Sequence, residues 1–161
     1  MFTEWLSAIE QWPLAVDLRN SRWTYALVNS GHIAGIALLF GAIVPLDLRL
    51  MGFWRAVPLR ALARILVPVA AFGLVLAIAA GLLLFSIRAT EYGALPLFWI
   101  KMALVLGGIV NALLLRYAAQ WERGLDEAGE MPPLRLRIAG ALSIVLWLAA
   151  IVCGRMLAFV E

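Results

Sequence analysis

The sequence predicts an all-α integral membrane protein: an up-down-up-down four-helix bundle preceded by a short interfacial amphipathic helix. Three observations lead there. Hydrophobic residues fill 65% of the 161 positions and charged residues only 14%, whereas about a quarter of a soluble domain is charged. Four apolar runs are each roughly twenty residues or more, enough to cross a ~30 Å hydrocarbon core. The connections between them are short, which makes neighbouring spans antiparallel.

At this length the chain is a single membrane domain, 1–161. Its net charge of +3 comes from arginines near helix ends, not from a basic patch built for nucleic acid. Cys153 is the lone cysteine. That rules out an intramolecular disulfide and a cysteine-cluster zinc or iron–sulfur site.

Residues 1–22 do not read as a cleaved signal peptide, because a basic n-region is missing and Glu4 and Glu10 interrupt the apolar run. Phe2, Trp5, Leu6 and Ile9 recur at helical spacing, with Glu4, Ser7, Glu10 and Gln11 elsewhere. This predicts a helix over 2–12 lying in the headgroup region and ended or kinked by Pro13. Trp5, Trp12 and Trp23 then share one interface, where an amphipathic indole is at home.

The first span covers about 22–45, capped by Asn20 or Ser21 and ended near Pro45. The second covers about 62–86, with Pro68 near its start and a small-residue stripe of Ala70, Gly73, Ala77 and Gly81 on which another helix can pack closely. The third, about 96–118, opens on Pro96 and carries Lys101, Gly108 and Asn111 on one face. The fourth, about 134–158, follows Pro132 and Pro133 and aligns Gly140, Ser143, Trp147, Ala150 and Gly154.

Arginine placement gives the orientation. Arg49, Arg55, Arg60 and Arg64 follow span one, and Arg116, Arg123, Arg135 and Arg137 follow span three. The other side has Arg19, Arg22, Arg88, Lys101 and Arg155, spread over three segments. The positive-inside rule therefore puts both termini on the periplasmic side of a bacterial inner membrane.

His32, the single histidine, lies inside the first span. It sits roughly 13 Å along the helix at ~1.5 Å rise per residue. An ionisable group at such depth usually faces the bundle and has a partner or ligand. Gly31 and Gly35 flank it, and Asn29 and Ser30 precede it, so a flat or bulky group can approach. A neutral imidazole binds iron, copper or zinc well. A haem at this place would use cations to neutralise its propionates, and Lys101, Arg155 and Arg88 are the ones within reach of the same end. Met102 and Met156 are soft sulfur donors on that side, or simply core filler.

The structural alternatives stand beside these readings. His32 can hydrogen-bond to Asn111, Ser143 or a backbone carbonyl and do no more than fix packing. Lys101 can snorkel to the interface. Asp47 and Arg49 read as a charge pair at a helix end, with lipid phosphate as the other partner for Arg49. Trp147 is a packing wedge or the wall of a planar cofactor.

The run His32-Ile-Ala-Gly35, Gly41 and Asp47-Leu-Arg-Leu-Met-Gly52, with Gly81-Leu-Leu-Leu-Phe85, the Lys101 to Asn111 span and Gly154-Arg155, resembles a family of small bacterial membrane proteins of unknown function. That family is similar in layout to the membrane domain of copper-resistance protein D and to HemJ-type protoporphyrinogen oxidases. The resemblance covers nearly the whole chain. On the HemJ side it implies a four-helix bundle binding b-type haem, with His32 and Lys101 in the places of the functional pair. On the copper-resistance side it implies copper handling, matched by Lys101 and Asn111. The chain departs from these patterns in having no second histidine and no methionine- or histidine-rich outer segment. A six-coordinate haem would then need Met102, Met156 or a partner subunit.

Three functions follow as expectations. One is a haem b protein in electron transfer or in oxidation of a porphyrin- or quinol-like substrate. The second is a copper-handling module using His32, Met102 and Met156, and the third is a non-catalytic accessory or assembly subunit. Membrane lipid surrounds the protein in each case, and the glycine-rich faces leave room for a homodimer or larger membrane complex.

Overall fold

The computed structural model describes residues 2–117 and 131–159. The third connection, with Arg123 and its acidic residues, and the expected end of span three at residue 118 lie outside the described residues. Within them the chain is helical throughout: α1 (Phe2–Glu10), α2 (Pro13–Asn20), α3 (Arg22–Leu50), α4 (Leu59–Ile87), α5 (Ala89–Ala94), α6 (Pro96–Arg116) and α7 (Leu134–Leu157). Four of these, α3, α4, α6 and α7, are long and apolar enough to cross a membrane.

Ser21, not Asn20, caps α3. Its Oγ accepts from the Thr24 backbone N–H at 3.3 Å. The helix does not stop near Pro45 as the sequence predicts but runs through it to Leu50. Proline there removes one hydrogen bond to the Gly41 carbonyl. Unwinding would cost more, because Leu46 and Leu50 beyond it are buried in a cluster with Leu59, Ala63 and Leu136, and free backbone in an apolar setting would need new partners. The second span likewise starts earlier than expected, at Leu59 after Pro58, which leaves Pro68 well inside α4.

The turn after α3 is built on Arg49, which is 1% exposed. Its Nε donates to the Val57 carbonyl at 2.8 Å and its Nη2 to the Arg55 carbonyl at 3.3 Å. The chain reverses there through Gly52 at φ 102° and Trp54 at φ 48°. The first of these is a backbone state that glycine adopts freely.

Glycines set the helix contacts. A Cβ on Gly35 would stand 2.5 Å from the Ala77 nitrogen and 2.8 Å from the Gly73 oxygen, and one on Gly73 would stand 2.5 Å from the Leu39 nitrogen. So α3 and α4 cross backbone to backbone, on the stripe the sequence marks out. Between α6 and α7, Trp147 lies against Gly108, where a Cβ would be 2.8 Å from the indole, and Asn111 donates to the Ala139 carbonyl at 3.0 Å. Gly140 of α7 meets the Asp47 backbone oxygen on α3. Three seams are therefore packed: α3 with α4, α6 with α7, and more thinly α3 with α7. The fourth is not. Among the described residues, α4 and α6 do not pack along their length.

At the end where α5 lies, here the α5 end, Phe85 of α4 stacks on Phe98 of α6, with ring centroids 5.0 Å apart. Tyr92 and Trp99 extend that aromatic group. The N-terminal segment docks at the same end. Leu6 of α1 fits against Gly93, and Ala15 and Leu18 of α2 are almost fully buried. Arg19 Nη2 donates to the Ile87 carbonyl at 2.6 Å, and Glu10 Oε1 accepts from the Thr90 N–H at 2.8 Å and its hydroxyl at 2.6 Å. The helix predicted over 2–12 corresponds to α1, which stops at Glu10 short of Pro13, and a second short helix, α2, starts at that proline.

Candidate functional site around His32

His32 leaves α3 toward α4, and its Nδ1 lies 2.7 Å from the Ala77 carbonyl oxygen. A carbonyl only accepts, so Nδ1 carries the hydrogen and donates it. In the neutral imidazole the other nitrogen, Nε2, then holds a free lone pair. Gly81 makes the contact possible. It lies one helical turn beyond Ala77, and a Cβ there would stand 3.0 Å from Cε1 and 3.3 Å from Nδ1 of the ring. Nε2 has no hydrogen-bond partner among the described residues and is not sealed from the surface.

Of the three partners the sequence offers for this histidine, the structure uses the backbone carbonyl. Asn111 is bonded to Ala139 instead, and Ser143 bonds the Asp47 carboxyl.

Lys101 comes from the other side of the unpacked seam. It is half-buried on α6 and lies along Gly154 of α7, its Cε and Nζ 3.4 and 3.6 Å from where a Cβ would be. Its ammonium is near enough to act on the His32 imidazole and on Cys153 electrostatically. It makes no hydrogen bond or ion pair among the described residues. Met102 follows it, also half-buried, one turn from Phe98 and on the same face.

The other predicted residues sit elsewhere. Met156 is 46% exposed on α7. Arg155 is exposed, its guanidinium 4.8 Å from the Phe159 ring centre. Arg88 ends α4 and pairs with Glu91 at 3.4 Å, both more than half exposed. All three share the α5 end with His32 without turning toward it. Hollows of about 880 Å³ beside Trp23 and Tyr25 and about 250 Å³ between Glu10, Arg19 and Arg88 do not include His32 in their walls. Among the described residues no three His, Cys, Asp or Glu side chains come together.

Asp47 and Arg49 do not form the expected pair. Residues two apart on a helix point in different directions. Arg49 turns into the 51–58 loop and Asp47 toward Ser143, leaving Asp47 Oδ2 and Arg49 Nη1 each buried without a partner. The sequence marks Ala77 and Gly81 as a packing stripe and offers His32 a backbone carbonyl, but it does not show that the carbonyl lies on that stripe. The one trace of this is the four-residue spacing that leaves a helix carbonyl uncovered. No family model, curated protein or solved structure matches this chain.

Proposed function

We propose that the chain is a haem b protein of the bacterial inner membrane, with His32 as the residue that would hold its iron. The observation that carries this is the direction of the imidazole: Nδ1–H is committed to Ala77, and Nε2 has no partner among the described residues. Histidines that bind metals commonly donate their other ring N–H to a carbonyl, which fixes the tautomer and makes the ligating nitrogen more basic. The donor set fits the group: Lys101 offers a cation for a propionate, and Met102 on α6 is a sulfur donor that would help to hold it. Haem bound there would supply one-electron chemistry. The chain's own part is to hold the ligand nitrogen deprotonated, keep water out with the aromatic group of Phe85, Phe98 and Tyr92, and pair a carboxylate or oxyanion at Lys101.

In this reading the four spans run up-down-up-down, with the α5 end periplasmic and both termini outside, as the arginine distribution argues. Helices α1 and α2 then lie at the outer interface with Trp5, Trp12 and Trp23 exposed to headgroups. Arg88 and Arg155 are turned elsewhere and carry no part of the proposal.

One observation favours a second reading. The same Ala77 bond satisfies a histidine that only locks α3 to α4, as in a non-catalytic accessory subunit. Purification in mild detergent with a visible spectrum, oxidised and reduced, decides between the two. The haem reading expects a Soret band that His32→Ala abolishes. A colourless protein that keeps its fold in His32→Ala, and takes up no added haem, overturns it. Metal analysis of the same sample tests copper at His32 and Met102.

A further inference from the structure

Aromatic rings lie across the α5 end of the site, and below them, among the described residues, α4 and α6 lack close backbone contact. On the water side, Phe85, Tyr92, Phe98 and Trp99 join α4, α5 and α6, and α1 and α2 dock on the same end through Glu10 and Arg19. Below that roof α4 and α6 part. The lips of the gap are apolar: Ile78 and Leu82, 40% and 63% exposed on the Phe85 side of α4, and Met102 and Val105, half-buried on the Phe98 side of α6. At its back stand His32 from α3 and Lys101 from α6. An ammonium at membrane depth without a partner among the described residues has room for an acceptor from outside the chain.

We infer that the His32–Lys101 site is entered sideways from the bilayer, between α4 and α6, by a lipid-dissolved molecule of the quinone class. A flat ring would lie between the two helices, where Lys101 supplies the donor for its carbonyl or phenolate oxygen and the apolar lips leave a hydrocarbon tail among the acyl chains. A water-soluble ligand would have to pass the aromatic roof. The inference rests on reading His32 and Lys101 as a ligand site, and not on iron being bound there.

The test uses the full chain in phosphatidylcholine nanodiscs with decylubiquinone as probe, read by saturable quenching of tryptophan fluorescence. Binding that saturates is expected. Lys101→Met should weaken it about tenfold, the loss that goes with a charged hydrogen bond. Lys101→Arg should restore most of it. Val105→Trp should weaken binding by filling the gap with Lys101 intact. A tail-less sulfonated benzoquinone should show no saturable quenching. Quenching that never saturates, a Lys101→Met protein that binds as tightly as the parent, or equal binding of the sulfonated analogue overturns the inference. The visible spectrum of the same sample separates the two claims. Haem without quinone binding removes only the sideways entrance, and quinone binding without haem removes only the haem assignment.

Discussion

Gly81 controls the imidazole, and substitutions there give a graded response. A Cβ on residue 81 would stand 3.0 Å from Cε1 of His32 and 3.3 Å from Nδ1, closer than the ~3.5–4.0 Å at which carbon atoms rest. Alanine therefore pushes the ring back by a few tenths of an ångström. The 2.7 Å contact with Ala77 stretches to about 3.0–3.2 Å, still a hydrogen bond by ordinary geometry. Valine puts a further methyl against the same ring edge and carries it past ~3.5 Å, where the bond is lost. The cost is then about 1 kcal/mol for the bond and roughly 1–3 kcal/mol for overpacking. Gly31→Ala is the control, since nothing lies within 4 Å of its added carbon. Because His32 is the single histidine, nitrogen NMR of histidine-labelled protein free of any bound group reads one ring. The parent should show a hydrogen-bonded Nδ1–H and a bare Nε2, Gly81→Ala a weaker version of the same, and Gly81→Val a ring with no fixed tautomer. A parent protonated at Nε2, or a Gly81→Val spectrum matching that of Gly31→Ala, would refute the argument.

Three further outcomes are expected. Gly35→Ala should lower thermal stability in detergent by about 1–3 kcal/mol, because its new carbon meets Ala77 and Gly73 backbone at 2.5 and 2.8 Å; Gly41→Ala, with open space around it, should not. A double-mutant cycle of Asp47→Asn and Arg49→Met should give a coupling below about 0.5 kcal/mol, and one several times larger would show an ion pair after all. Glu10 tests the docking of α1. The Thr90 hydroxyl, then the Thr90 N–H, holds its carboxyl below the ordinary value of 4.5, so the stabilisation is complete above about pH 4.5 and fades as pH falls through the lower folded value. Acid titration of tryptophan fluorescence should show α1 loosening in that window, and Glu10→Ala, which removes the acceptor, should be loose already at neutral pH.

The four spans are legible because each is a long apolar run, and the close-packing faces because glycine and alanine recur at three- and four-residue steps. Helix ends read less well. Pro45 looks like a stop in the sequence, yet Leu46 and Leu50 beyond it gain more by packing than the proline costs. The end of α1 before Pro13 is marked in the sequence, whereas α2 and the short α5 are decided by docking at the α5 end. For the site, the type and depth of His32 and Lys101 can be read directly, but the histidine's partner is a backbone oxygen, which every residue carries. Arg88 and Arg155 lie at the expected end, and their direction depends on side-chain neighbours that spacing does not encode.

The backbone crossing at Gly35 and Gly73 joins α3 and α4 into one stiff half, and Trp147 wedged on Gly108 makes another of α6 and α7. His32 rides on the first half and Lys101 on the second. Their separation is thus governed by two joints, the Phe85–Phe98 stack at the near end and the thin α3–α7 contact at Gly140 and Asp47 at the far one. A small rocking of the halves that slides one aromatic ring over the other would change the imidazole-to-ammonium distance while leaving both rigid pairs unchanged.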